Sequence, residues 1–204
     1  MKIEKYQKIG KDKYRIFLDN GTIIDIYEDV IVKNNLLYKK EISVDLLNKL
    51  EEDNEIQNIY NMAIKYISLR LRSSYEVYSY LKKKDFNENT IEEILEKLIK
   101  NNYLNDDIFT KAFIKDKLNF TNMGKYKLIN ELKLLKVDND IINNHIEEIE
   151  EEIWNERINI QINKYLKKTK KNTGNMLKNK IYIYLVNLGY DKNLVINAIN
   201  NYEI

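Results

Sequence analysis

The 204-residue chain has no cysteine, no proline, one histidine and one tryptophan. Without thiols, disulfides, iron–sulfur clusters and thiolate zinc sites are excluded, and a reducing, cytoplasmic compartment is the natural one. Without proline, every residue keeps the backbone N–H that a helix uses, so long helical stretches can run uninterrupted. The five glycines lie far apart and form no glycine-rich phosphate loop. The longest apolar run is the six residues Ile181 to Val186, and the start, MKIEKYQKIGKDKYRIF, has no signal-peptide core, so no membrane span is expected. With 44% hydrophobic residues the chain can still build a core without covalent staples.

Charge is nearly balanced at +2, which alone does not suggest a nucleic-acid partner. Its distribution is uneven. Residues 158–204 hold 8 basic and 2 acidic side chains, and most of that excess falls in KYLKKTKKNTGNMLKNK, residues 164–180, which has no acid.

The first 42 residues alternate with period two: Tyr14, Ile16 and Leu18, then Asn20-Gly21, then Ile24 and Ile26. Asn-Gly between alternating runs predicts a hairpin with a type I′ turn, joined by residues 2–9 as a third strand. Ser43 then caps a connecting helix over 43–55. Beyond it the pattern is helical. Ile56, Ile59, Tyr60, Ala63, Ile64, Ile67 and Leu71 form an apolar stripe at helical spacing, and the helix is expected to stop near Arg72.

A frame recurs along this helical part. Leu81, Phe86 and Ile91 are matched by Leu132, Val137 and Ile142 and by Leu185, Tyr190 and Val195, at periods of 51 and 53 residues. A good N-cap follows the second apolar member each time, at Asn87, Asp138 and Asp191. The expected architecture is mainly α: three tandem three-helix, helix-turn-helix-like repeats over 56–100, 105–150 and 153–204, stacked in an elongated, curved array. The segment IYIYLV at 181–186 has strand propensity, but the repeat assigns it to a helix.

Ser73 and Glu76 fit a capping box that starts the helix after Arg72. Asn105, Asp106 and Asp107 cap the first helix of the second repeat. Of Tyr75, Tyr78 and Tyr80, at least one is expected in the core and another outside, since they cannot share a helix face. His145 has no nucleophile or ligand set beside it, Trp154 reads as core with Ile158 and Ile162, and the acidic run at 147–152 as a solvated helix face. No catalytic, metal or cofactor constellation is present, so the chain is not expected to be an enzyme.

The run YISLRLRSSYEVYSYLKKKDF, then IEEILEKLIKNNYLNDDIFTKAFI, then GKYKLINELKLLKVDNDII, resembles the RecX family, bacterial regulators of the RecA recombinase. The resemblance rests on an R-x-R-S-x-x-E segment leading to a leucine, a Tyr-Leu-x-Asp-Asp segment, and Gly124 opening a helix. It covers essentially the whole chain, and residues 1–42 look like the β-rich extension of the longer members. One departure is that the family's glycine before the second apolar position of each repeat is kept only at Gly189, with Asp85 and Lys136 in the other two.

The resemblance implies a monomeric, cytoplasmic inhibitor that lies in the helical groove of the RecA–single-stranded DNA filament, bridges protomers, and suppresses ATP hydrolysis and strand exchange. It also implies contact with the single strand in the filament and weak direct DNA binding, with no cofactor. Candidate contact residues are Arg70 and Arg72; Lys82, Lys83 and Lys84; Lys125, Lys127 and Lys133; and Lys164, Lys167, Lys168, Lys170 and Lys171. A helix-turn-helix protein acting directly on DNA is the competing reading, though the 74–83 and 125–135 helices lack the Arg, Asn and Gln cluster of a base reader. A helical-repeat adaptor for an unrelated protein is the third.

Overall fold

The computed structural model describes residues 1–168 and 174–202. The chain divides into two units, Met1–Leu71 with Val77–Tyr103, and Arg72–Glu76 with Leu104–Ile204.

The first unit begins with a three-stranded antiparallel sheet in the order β1 (Ile3–Lys8), β2 (Lys13–Leu18) and β3 (Ile23–Tyr27). Alternation sends Ile16, Leu18 and Ile26 to one face, where they bury against Val30, Ile31, Leu36, Ile42 and Leu50. The hairpin turn differs from the expected type I′. Only Gly21 has a positive φ, at 82°, and Leu18 and Thr22 pair across a three-residue loop, Asp19 to Gly21. Asn20 therefore keeps an ordinary φ and uses its side chain to accept from the Thr22 N–H, leaving Gly21 as the single left-handed residue.

A short helix α1 (Glu28–Lys33) and a 3-10 turn (Leu36–Tyr38) lead to α2 (Val44–Ile67), a single 24-residue helix. Ser43 caps it as expected, accepting from the Leu46 N–H at 3.1 Å. Residues 43–55, read from sequence as a separate connecting helix, are the first half of α2. The helix ends at Ile67 rather than near Arg72, because the Ser68 hydroxyl donates to the Lys65 carbonyl and the chain turns. Leu71, the last member of the apolar stripe, consequently stands 52% exposed.

Helices α3 (Ser74–Lys82) and α4 (Glu88–Lys100) follow. In the second unit come α5 (Asp106–Phe120), α6 (Lys125–Leu134), α7 (Asn139–Glu147), α8 (Glu151–Lys168), α9 (Gly174–Asn187) and α10 (Lys192–Asn200). IYIYLV lies within α9, its Ile181 and Leu185 buried in the core: packing has overridden strand propensity. Trp154, Ile158 and Ile162 of α8 join the same core.

The recurring frame repeats its turn geometry at the three positions, although of its middle members Val137 and Tyr190 are buried and Phe86 is only half-buried. Leu81, Leu132 and Leu185 are fully buried, as are Ile91, Ile142 and Val195. Asp85, Lys136 and Gly189 take positive φ of 61°, 55° and 91°, ending a helix in a left-handed residue. Asn87, Asp138 and Asp191 then accept from the N–H two residues on, at 2.9, 2.7 and 2.8 Å, and start the next helix.

Candidate partner-binding surface

The capping box forms: Ser73 Oγ accepts from the Glu76 N–H at 3.2 Å, and Glu76 accepts from the Ser73 N–H at 3.1 Å. Glu76 also pairs with the Arg72 guanidinium at 3.3 Å, with the Arg72 side chain only 12% exposed. That burial makes Arg72 part of the turn, while Arg70 is exposed and donates to the Leu71 carbonyl. Asp106 and Asp107 lie in the first turn of α5 as expected, but Asp106 has a second role that sequence reasoning missed. Its carboxylate accepts from the Ser74 N–H at 2.7 Å, serving the start of α3, while Asn105 caps α5 through the Asp107 and Ile108 N–H groups. Asp107 instead meets His145 Nε2 at 2.8 Å, with Glu148 3.4 Å from the other ring nitrogen.

None of the three tyrosines on α3 enters the core. Tyr75 is 37% exposed, Tyr78 and Tyr80 are half-buried, and Tyr80 stacks on Tyr66 with ring centroids 4.1 Å apart. Lys82, Lys83 and Lys84 are exposed at the end of α3. Lys82 reaches Glu88 at 3.3 Å and Lys84 lies over the Tyr80 ring at 5.3 Å. Glu88 also receives the Tyr78 hydroxyl, and that hydrogen bond, ahead of Lys82, holds its carboxyl below the usual range.

In the second unit, α6 carries half-buried Lys125 and exposed Lys127 and Lys133. The two-residue spacing puts Lys127 on the side of the helix away from Lys125, while the eight-residue spacing leaves Lys133 about 80° from Lys125. Lys164, Lys167 and Lys168, all exposed, sit at i, i+3 and i+4 near the C-terminus of α8 and share one face, where positive charge also complements the helix dipole. Lys170 and Lys171 lie outside the described residues.

Gly124, read as the opening of a helix, has a second role. Its N–H donates to the Leu188 carbonyl and the Tyr126 N–H to the Gly189 carbonyl, each at 2.8 Å, seating the start of α6 on the α9–α10 turn. Tyr126 then donates its hydroxyl to Asp191 at 2.8 Å. That hydrogen bond is the main reason the Asp191 carboxyl is held low and the Tyr126 phenol is raised.

Arg157, which sequence reasoning passed over, donates to the carbonyls of Leu118, Thr121 and Met123 at 2.6, 2.7 and 3.2 Å. It satisfies the end of α5 and the loop after it. Burial pushes the neighbouring Tyr190 phenol up, and Arg157 partly offsets this. Among the described residues no group of three or more metal-ligating side chains occurs, and no helix is long and apolar enough to cross a membrane.

Residues 60–98 match the family model described as the first three-helix domain of RecX. The regulatory protein RecX of Listeria monocytogenes serotype 4a is 30% identical over 192 residues, covering 94% of this chain and 71% of that protein. The regulatory protein RecX of Halalkalibacterium halodurans is 31% identical over 198 residues, covering 94% and 74%. A crystal structure of regulatory protein RecX superposes with a TM-score of 0.90 at 19% identity, over 98% of this chain and 99% of that one. The crystal structure of RecX from Lactobacillus salivarius gives 0.68 at 23% identity, over 72% and 96%. These two establish a common fold, and the sequence relatives establish more: the chain belongs to the RecX family of regulatory proteins.

Proposed function

We propose that this chain binds the RecA–single-stranded DNA filament in its helical groove and inhibits RecA ATP hydrolysis, strand exchange and recombination. Membership of the RecX family is the observation that carries this reading. The geometry adds a compatible means. Residues 56–100, 105–150 and 153–204 act as three modules on one chain, each offering basic side chains to successive protomers or to the single strand between them. Contacts of modest strength then reinforce each other, because each binds at the effective concentration set by the one before.

The best-formed contact is the exposed face of Lys164, Lys167 and Lys168. Exposed Lys82–Lys84, Lys127 and Lys133 supplement it, with Lys125 at the edge of α6. The protein acts in the cytoplasm as a monomer, without cofactor or catalytic step, through occlusion of the groove and hindrance of the rearrangements that accompany ATP turnover. The test is strand exchange by RecA in the presence of equimolar chain. Suppression is expected. Tight binding to a defined duplex with strand exchange untouched would favour the helix-turn-helix reading instead.

A further inference from the structure

The first repeat leaves open a place that the other two close. The middle member of the frame is buried as Val137 in the second repeat and as Tyr190 in the third, where Gly124 at the start of α6 packs on the Tyr190 backbone. Phe86, its counterpart in the first repeat, is only half-buried. It follows the left-handed Asp85 and precedes the Asn87 cap of α4, so the turn fixes the backbone that carries the ring.

Phe86 stands beside a groove of about 280 Å³ between this turn and α2. From α2 come Glu52, Glu55, Ile56 and Ile59, and from the start of α4 comes Thr90. Spacings of i, i+3, i+4 and i+7 put the α2 residues on one helix face. Ile59 is buried and Ile56 half-buried, which makes an apolar floor, while both glutamates are exposed at its rim. Among the described residues neither glutamate side chain has an ion pair or a hydrogen bond. The lysines just before Phe86 do not line the groove: Lys82 reaches Glu88, and Lys84 lies over the Tyr80 ring.

Size and charge together select the occupant. A space of this volume falls below the usual range of a small-molecule site, about 300–1,000 Å³, and suits one or two side chains. Carboxylates at the rim repel phosphate, so neither a nucleic acid nor an anionic lipid surface fits here. The same charges attract a cationic protein segment. An apolar floor between helices, with acids one turn apart at its edge, matches the helix-in-groove mode of recognition. We propose that this groove is the docking site for a basic amphipathic helix of a partner protein, with an apolar side chain seated against Phe86 and Ile56 and cationic ones paired with Glu52 and Glu55.

The groove goes beyond the RecA reading and is tested without recombinase, so the two can fail separately. The probe is a labelled model helix of about four turns, leucine on one face and lysine on the other, titrated with the full chain at low salt and followed by anisotropy. Saturable binding is expected, with amide shifts at Glu55, Asn87 and Thr90 in heteronuclear spectra. A peptide with glutamate for every lysine, and another with serine for every leucine, each bind at least about tenfold more weakly. Glu52→Lys/Glu55→Lys, which changes two exposed side chains, weakens binding of the lysine peptide about fivefold or more. Phe86→Ala, compared at equal folded fraction, weakens it by about fivefold or more as well. Four results overturn the proposal: no saturable binding by the folded parent chain, parent-like affinity for either control peptide, amide shifts confined to residues outside the groove, or unchanged affinity in either variant.

Discussion

Gly124 and Gly189 fit against each other so closely that neither tolerates a β-carbon. One added at Gly124 would lie 2.3 Å from the Tyr190 backbone nitrogen, and one at Gly189 would lie 2.5 Å from the Lys127 backbone nitrogen. The start of α6 and the α9–α10 turn are thus in backbone-to-backbone contact, with the 2.8 Å hydrogen bonds from Gly124 and Tyr126 closing it.

Substitution separates this contact from ordinary helix termination. Gly124→Ala and Gly189→Ala should each cost about 2 kcal/mol or more, because backbone has to move. Lys136→Gly, at a positive φ, should instead stabilise by about 1 kcal/mol through relief of the left-handed strain. Urea denaturation measures all three. Alanine variants as stable as the parent would contradict the packing.

Capping of α3 by a residue far along the chain gives a second test. Asp106→Ala should cost about 1 kcal/mol in the same assay and speed amide exchange at Ser74, whose N–H loses its acceptor. Ser73→Ala should cost a similar amount and act at the Glu76 amide. Unchanged exchange at Ser74 in the first variant would remove Asp106 from the cap.

The Tyr126–Asp191 hydrogen bond predicts a pH window. Asp191 is depressed when folded, so its contribution is present above the ordinary carboxylate range of about 4 and is lost as pH falls through the lower folded value. Tyr126 is raised, so its contribution is full below about 10 and is lost as pH climbs through the higher folded value. The stability difference between parent and Tyr126→Phe should therefore be under about 1 kcal/mol near pH 7, the pair being partly exposed, and should shrink towards both extremes. A difference independent of pH would contradict the assignment.

Much of this was legible in the sequence, for a local reason. The frame at Leu81, Leu132 and Leu185 is written by residues within ten positions of one another, and a hydrogen bond from cap to helix spans two or three residues. The Ser73–Glu76 box was readable on the same ground. Arg157 was not, because its acceptors lie 34 to 39 residues away and nothing near it in sequence marks a cap. The same distance hid the partner of Asp106, which looked like a cap for its own helix. Asn20-Gly21 misled for the opposite reason: a hairpin signal was present, but loop length decided the turn type. The basic residues were the least legible, since exposure and one-face spacing separate Lys164, Lys167 and Lys168 from the scattered lysines of α6 only once the helices are placed.

Charge reversal tests the basic stretch that begins at Lys164. Glutamate at Lys167, Lys168, Lys170 and Lys171 together should weaken filament binding at least tenfold, given several lost charge contacts, and leave the thermal unfolding midpoint close to that of the parent. Parent-like inhibition by the folded variant would take the contact away from this stretch.

The most direct measurement is ATP hydrolysis by RecA filaments preformed on single-stranded DNA, followed as the chain is added from substoichiometric to equimolar amounts. The proposed function predicts a concentration-dependent fall in hydrolysis on filaments already assembled. Hydrolysis that continues at its original rate, with the chain shown to be folded, would contradict it.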